Sequence, residues 1–186
     1  MDKFLDKFDP SISEVKDWAY DENLYFIEQD EDLVLHSTKY ITALMELASD
    51  PNCPKGDYCL SILSYYSQIL LAKRLVDEVI KARQQMLEYN LPLIGKVQKW
   101  RTDFLNLVDL ISNPRPIDEI EADQIARQLI VGDYRILEFK KLGILHFGIF
   151  EYSASAINYI EYLYINPKTA NWKLSKFNRL SDISEI

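Results

Sequence analysis

Between Asp57 and Tyr89 the chain runs for 33 residues without a glycine or a proline. The loop Pro51-Asn52-Cys53-Pro54-Lys55-Gly56 precedes this run, and Asn90-Leu91-Pro92 ends it. A stretch that lacks both strong breakers predicts helix. Continuous, it would be about 50 Å long at ~1.5 Å per residue. Its first half is apolar nearly all round (Tyr58, Leu60, Ile62, Leu63, Tyr65, Tyr66, Ile69, Leu70, Leu71), as expected of a helix buried on every side. Its second half narrows to Ala72, Leu75, Val79, Ala82 and Met86. Lys73 with Asp77, Arg74 with Glu78 and Asp77 with Lys81 are spaced i,i+4 on the outer side. The spacing therefore predicts a long central helix, kinked or broken at most once.

Around it the sequence predicts a mainly all-α fold, an irregular bundle or stack of helical hairpins with about six to eight helices. Only 5 glycines and 7 prolines in 186 residues favour long helices over many short strands. Apolar residues at 48% and charged residues at 27% are the balance of a globular chain. That length fits one helical domain over residues 1–167, with 168–186 as a C-terminal arm or docking tail.

Met1, Phe4, Leu5 and Phe8 have helical spacing. Ser11-x-x-Glu14 is a capping box, which opens a helix running to about Tyr20 with Val15 and Trp18 facing inward. Leu24–Ile27 read as a short helix or turn, and Glu31–Ser49 as a helix. A further helix spans about Leu93–Ser112, and Asn113-Pro114-Arg115-Pro116 bounds the next. There Pro116 suits the first turn, and Asp118, Glu119, Glu121 and Asp123 complement the positive helix end. Residues 134–150 read as short helix, loop and helix start, with a β-hairpin turning near Gly143 as the alternative. A last helix is predicted over about Glu151–Ile165. Beyond it Leu174, Phe177, Leu180, Ile183 and Ile186 recur every three residues.

The net charge of −8 is regional. Residues 1–56 hold 13 Asp/Glu against 5 Lys/Arg, whereas residues 57–186 hold 16 of each. The acidity gathers in Asp17, Asp21, Glu22, Glu28, Asp30, Glu31 and Asp32. Such a surface steers a cationic partner and repels phosphate. A central group of Lys73, Arg74, Lys81, Arg83, Lys96, Lys99 and Arg101 leans the other way, a modest patch on an acidic chain, so nucleic acid ranks last among partners.

Catalytic motifs are missing: neither phosphate-binding glycine loop is present, nor H-E-x-x-H, nor G-x-S-x-G. Asp30-Glu31-Asp32 lacks the glycine and terminal glutamate of a calcium loop. Cys53 and Cys59 have no ligand cluster beside them to complete a zinc site, and read as reduced thiols. Asp118 with Glu121 and Glu119 with Asp123 share helix faces, but first-turn carboxylates have a structural reason to be there. No metal and no cofactor is expected. Of the two histidines, His36 lies near a helix start and His146 in an apolar, aromatic stretch.

These features point to a non-catalytic protein–protein interaction protein that presents its acidic N-terminal surface to a basic partner. On charge and size, an inhibitor or immunity-type protein is the specific version. The alternative is a small-molecule-binding protein or enzyme with a pocket near the C-terminal helices. It would be lined by His146 and by the polar face Glu151, Ser155, Asn158 and Tyr162, spaced i, i+4, i+7 and i+11 on the last predicted helix. The absence of an 18-residue apolar run predicts no membrane span. The charged N-terminus has no secretory h-region, so the cytoplasm is the expected compartment. Twelve tyrosines, 8 phenylalanines and 3 tryptophans are also compatible with a homodimer.

Overall fold

The computed structural model describes residues 3–5, 9–26, 37–72, 75–130, 134–141, 144–152 and 157–175. Among them are six α-helices, one short 3-10 helix and six strands. In chain order these are β1 (Lys3–Leu5), α1 (Ile12–Tyr20), β2 (Leu24–Phe26), the 3-10 helix (Thr38–Tyr40), α2 (Ile41–Ser49), α3 (Gly56–Ala72) and α4 (Val76–Glu88). There follow α5 (Gly95–Ser112), α6 (Glu119–Leu129), β3 (Tyr134–Lys141), β4 (Ile144–Tyr152), β5 (Ile157–Ile165) and β6 (Trp172–Ser175). The chain is mainly helical, as expected, and no described helix is long and apolar enough to cross a membrane. It divides into two compact units: residues 1–67 with 76–104, and residues 68–75 with 105–186.

In the first unit the capping box predicted for α1 is present. Glu14 N donates to Ser11 Oγ at 3.2 Å, and Ser11 N donates to the Glu14 carboxylate at 2.8 Å. These bonds satisfy donors that a helix start leaves without partners. Helix α2 packs against both α1 and α4. The core they share is built from Val15, Trp18, Leu44, Met45, Val79, Ala82 and Met86, all buried. Gly56 starts α3 at a close approach, since a Cβ there would lie 3.2 Å from the Leu47 carbonyl oxygen at the end of α2. Ser67, on α3, accepts a 3.2 Å hydrogen bond from the Trp100 indole N–H.

The second unit contains α6 and an antiparallel sheet of order β3-β4-β5-β6. Helix α6 packs on β4 through a face that includes the buried Ala122, Ile125, Ala126 and Leu129. Leu163, Tyr164, Ile165 and Trp172 are buried in the sheet. The Trp172 indole N–H donates to the Leu71 carbonyl at 3.0 Å, which satisfies an acceptor at the end of α3. Between β5 and β6, Lys168 N donates to Asn166 Oδ1 at 2.9 Å and Ala170 N to Asn166 O at 2.8 Å. Ala170 takes φ 56° there with its side chain buried.

Several expectations are corrected. Of the N-terminal helix expected from Met1, Phe4, Leu5 and Phe8, the described part, Lys3–Leu5, is a strand. It pairs in parallel with Leu24–Phe26, part of the clump that reads as a short helix or turn. The long run contains the one break its reading allows, as two helices, α3 and α4, in place of a continuous 33-residue helix. Pro116 precedes the helix it was expected to open, and Asp118 is the N-cap. The largest correction is β4 and β5. Tyr134–Lys141 and Ile144–Tyr152 pair as the antiparallel hairpin that stands as the alternative to helices, and the described part of the last predicted helix is strand, Glu151 and Tyr152 in β4 and Ile157–Ile165 as β5. Ile-Asn-Tyr-Ile-Glu-Tyr-Leu-Tyr-Ile is rich in β-branched and aromatic side chains, which suit a pleated, half-buried surface. The first residues of the predicted tail continue that sheet as β6.

Candidate functional site around the end of helix α1

Helix α1 ends with no basic residue in its last turn, leaving carbonyl oxygens at the negative pole of its dipole. Lys55, from the loop before α3, fills that position. Its ammonium donates to the carbonyls of Trp18 at 2.7 Å, Asp21 at 2.9 Å and Leu24 at 2.7 Å. It also lies 4.7 Å from the Trp18 ring centre and 5.5 Å from that of Tyr25. Three carbonyl acceptors and two aromatic faces hold one cation in place. The Trp18 ring in turn stands 6.0 Å from Tyr58, centre to centre.

Nearby, Cys53 Sγ donates to the Ala19 carbonyl at 3.7 Å. Burial pushes the Cys59 thiol up to about 12 and raises Cys53 as well. Both cysteines are therefore protonated at neutral pH, and neither is an activated nucleophile. The Tyr20 hydroxyl donates to Asp50, which holds the Asp50 carboxyl below its ordinary value. Among the described residues no cluster of three or more His, Cys, Asp or Glu side chains comes together to hold a metal.

What remains at this end of α1 is an exposed surface of aromatic and acidic side chains. Tyr20, Tyr25 and Tyr58 are exposed, as are Asp17 and Glu22. Asp21 caps α1 and accepts from Asn23 N at 3.0 Å through Oδ1. The three lysines described within residues 9–56 are engaged elsewhere. Lys16 pairs with Glu46 at 2.7 Å and Lys39 with Asp9 at 2.5 Å, while Lys55 serves the three carbonyls. Asp17 and Glu22 have no ion pair among the described residues.

Of the seven acidic residues singled out from the sequence, the structure brings Asp17, Asp21 and Glu22 to this surface. Glu28, Asp30, Glu31 and Asp32 lie outside the described residues. Lys55 and the tyrosines were missed. The only local hint was a lysine between Pro54 and Gly56, and its partners lie 31 to 37 residues away.

The alternative pocket loses its geometric premise. His146 and Glu151 are on β4, Asn158 and Tyr162 are on β5, and Ser155 lies outside the described residues. In register Glu151 is opposite Asn158, Gly148 opposite Tyr162, and His146 opposite Tyr164. The residues therefore belong to two strands instead of one helix face. Asp118 and Glu121 form a capping box, with the Arg115 guanidinium donating to Glu121 at 2.6 and 3.2 Å. Compared with known proteins, the chain matches no family model, no curated protein sequence and no solved structure.

Proposed function

We propose that the chain is a non-catalytic binding protein that presents the end of helix α1, with the acidic residues around it, to a basic protein. The observation that carries this reading is the engagement of the local lysines. Lys16, Lys39 and Lys55 all have internal partners, so the exposed Asp17 and Glu22 keep their charge for a visitor. The exposed tyrosines beside them suit arginine and lysine side chains, which stack on aromatic faces while pairing with carboxylates. An inhibitor or immunity-type role, acting on a basic target, is the specific form of this proposal, with the cytoplasm as the expected compartment.

The test is capture from a lysate at low salt, followed by kinetics on the purified partner. The partner should be basic, and its association should slow as salt rises. Asp17→Lys with Glu22→Lys should reduce the association rate by about tenfold or more, because acidic residues act chiefly on encounter. A partner that binds this double variant at the wild-type rate, with the same salt dependence, would rule out the acidic surface.

A further inference from the structure

The loop before α3 folds back on the start of that helix. Gly56 N donates to the Cys53 carbonyl at 3.1 Å, and Cys59 N donates to the Lys55 carbonyl at 2.8 Å, which closes the first turn of α3. A Cβ at Gly56 would lie 3.8 Å from Cys53 Cβ, so Cys53 stands against the side of α3 that carries residue 56. Cys59 is three residues on, along the same side of the helix. The two sulfurs meet there. The Cys59 thiol is hydrogen-bonded to that of Cys53, and the Cys53 thiol donates to the Ala19 carbonyl at 3.7 Å. These are the only two thiols of the chain.

A disulfide needs sulfurs that can close to ~2.05 Å on Cα atoms within about 7 Å of each other. The loop favours Cys53 as the sulfur that reacts first. It is the more exposed, at 8% against 0% for Cys59. The Lys55 backbone N–H donates to its sulfur and the Lys55 ammonium adds positive charge nearby, and both stabilise a thiolate. Burial outweighs them, so the pair reacts slowly at neutral pH.

We propose that Cys53 and Cys59 form a reversible disulfide, closed by exchange with a small-molecule disulfide, that staples the loop to the first turn of α3. The Cys53 thiolate attacks one sulfur of the small disulfide, breaks its S–S bond and releases one thiolate. Cys59, as its thiolate, then attacks the Cys53 sulfur of the mixed disulfide and releases the second. The two cysteines lose two electrons, the small disulfide gains them, and the two thiol protons end on the released thiols. The ring so closed contains Lys55, which grips the end of α1, and Tyr58, which faces Trp18. The bond therefore fixes the segment that braces α1. It rests on the geometry of this loop and does not depend on the function proposed for the surface.

Equilibration of the full chain with oxidised glutathione, acid quenching and intact-mass measurement test this. The mass should fall by two hydrogen atoms with no glutathione retained, and thiol titration in urea should find neither thiol. The initial rate should rise about tenfold per pH unit between about pH 7 and 9, as the thiolate fraction does. Trypsin cleaves after Lys55, inside the ring. Non-reducing digestion should leave fragments 40–55 and 56–73 joined, and dithiothreitol should part them. The oxidised form should melt about 2–5 °C above the reduced one, because the bond constrains the unfolded chain. Cys59→Ala should stop at a mixed disulfide on Cys53, whereas Cys53→Ala should stay unmodified while folded, since Cys59 is fully buried. Two free thiols after equilibration, a lasting glutathione adduct of the wild type, or a disulfide-linked pair of chains would each overturn the pairing. A Cys53→Ala variant modified as fast as Cys59→Ala would overturn the order of attack. An oxidised form that melts at or below the reduced one would overturn the staple.

Discussion

The ammonium group of Lys55 lies 4.7 Å from the centre of the Trp18 indole and donates a 2.7 Å hydrogen bond to the carbonyl of the same residue. One side chain thereby ties the loop before α3 to the end of α1 and to β2. Lys55→Met keeps much of the apolar stem but removes the charge and all three donated bonds. It should destabilise the protein by about 2–3 kcal/mol, read from urea denaturation. Lys55→Arg should rescue only part of this, because a planar guanidinium cannot converge on three carbonyls as an ammonium does. A Lys55→Met midpoint equal to wild type would show that these bonds contribute nothing net.

Stability should fall at alkaline pH. Burial raises the Tyr66 hydroxyl from 10.0 to about 12, and the Cys59 thiol from 9.0 to about 12. Both groups hold their protons more tightly when folded. Their contribution is fully present below the unfolded values and is lost as pH rises through the folded ones. Urea midpoints should therefore be level up to about pH 9 and decline above it. Tyr66→Phe should lessen the decline above about pH 10. A midpoint that rises between pH 9 and 11 would contradict this assignment.

At the start of α6, Glu121 N donates to Asp118 Oδ1 at 2.8 Å. Asp118→Ala should cost about 1 kcal/mol through the lost cap. Arg115→Ala should cost less, about 0–1 kcal/mol, because the Arg115–Glu121 pair is solvent-exposed. Chemical denaturation of the two variants side by side checks the order, and a larger loss for Arg115→Ala would reverse it.

Ala170 combines φ 56° with a buried methyl group. Ala170→Gly should relieve the backbone and lose some packing, leaving stability within about 1 kcal/mol of wild type. Ala170→Val should be worse by about 2 kcal/mol or more, because a β-branched side chain is strained in the left-handed region and two more methyl groups must fit at a buried position. Thermal unfolding of the pair measures the difference.

Where structure rests on neighbours in the chain, the residues announce it. Ser11-x-x-Glu14 reads as a cap and is one, because donor and acceptor are three residues apart. The loop at 51–56 follows from its two prolines and glycine, and the inward faces of α1, α4 and α6 follow from spacing. The acidic residues were legible as composition, and three of the seven lie on the described surface.

The sheet and the site needed distant partners. Residues 151–165 place polar groups at intervals that fit a helix, yet their side chains suit a strand. Pairing with β4 on one side and β6 on the other decides between them. A register shift between Ile149 and Phe150 interrupts strict alternation, so no clean period of two betrays the strand. The break between α3 and α4 has no glycine or proline to mark it. Most of all, the role of Lys55 is set by carbonyls of α1 and β2, which only folding brings within reach of its ammonium. Local spacing can specify a cap or an apolar face, because those interactions close within a helical turn. Which strand pairs with which, and which lysines remain free to neutralise the acidic surface, depend on contacts that close only when the whole chain packs.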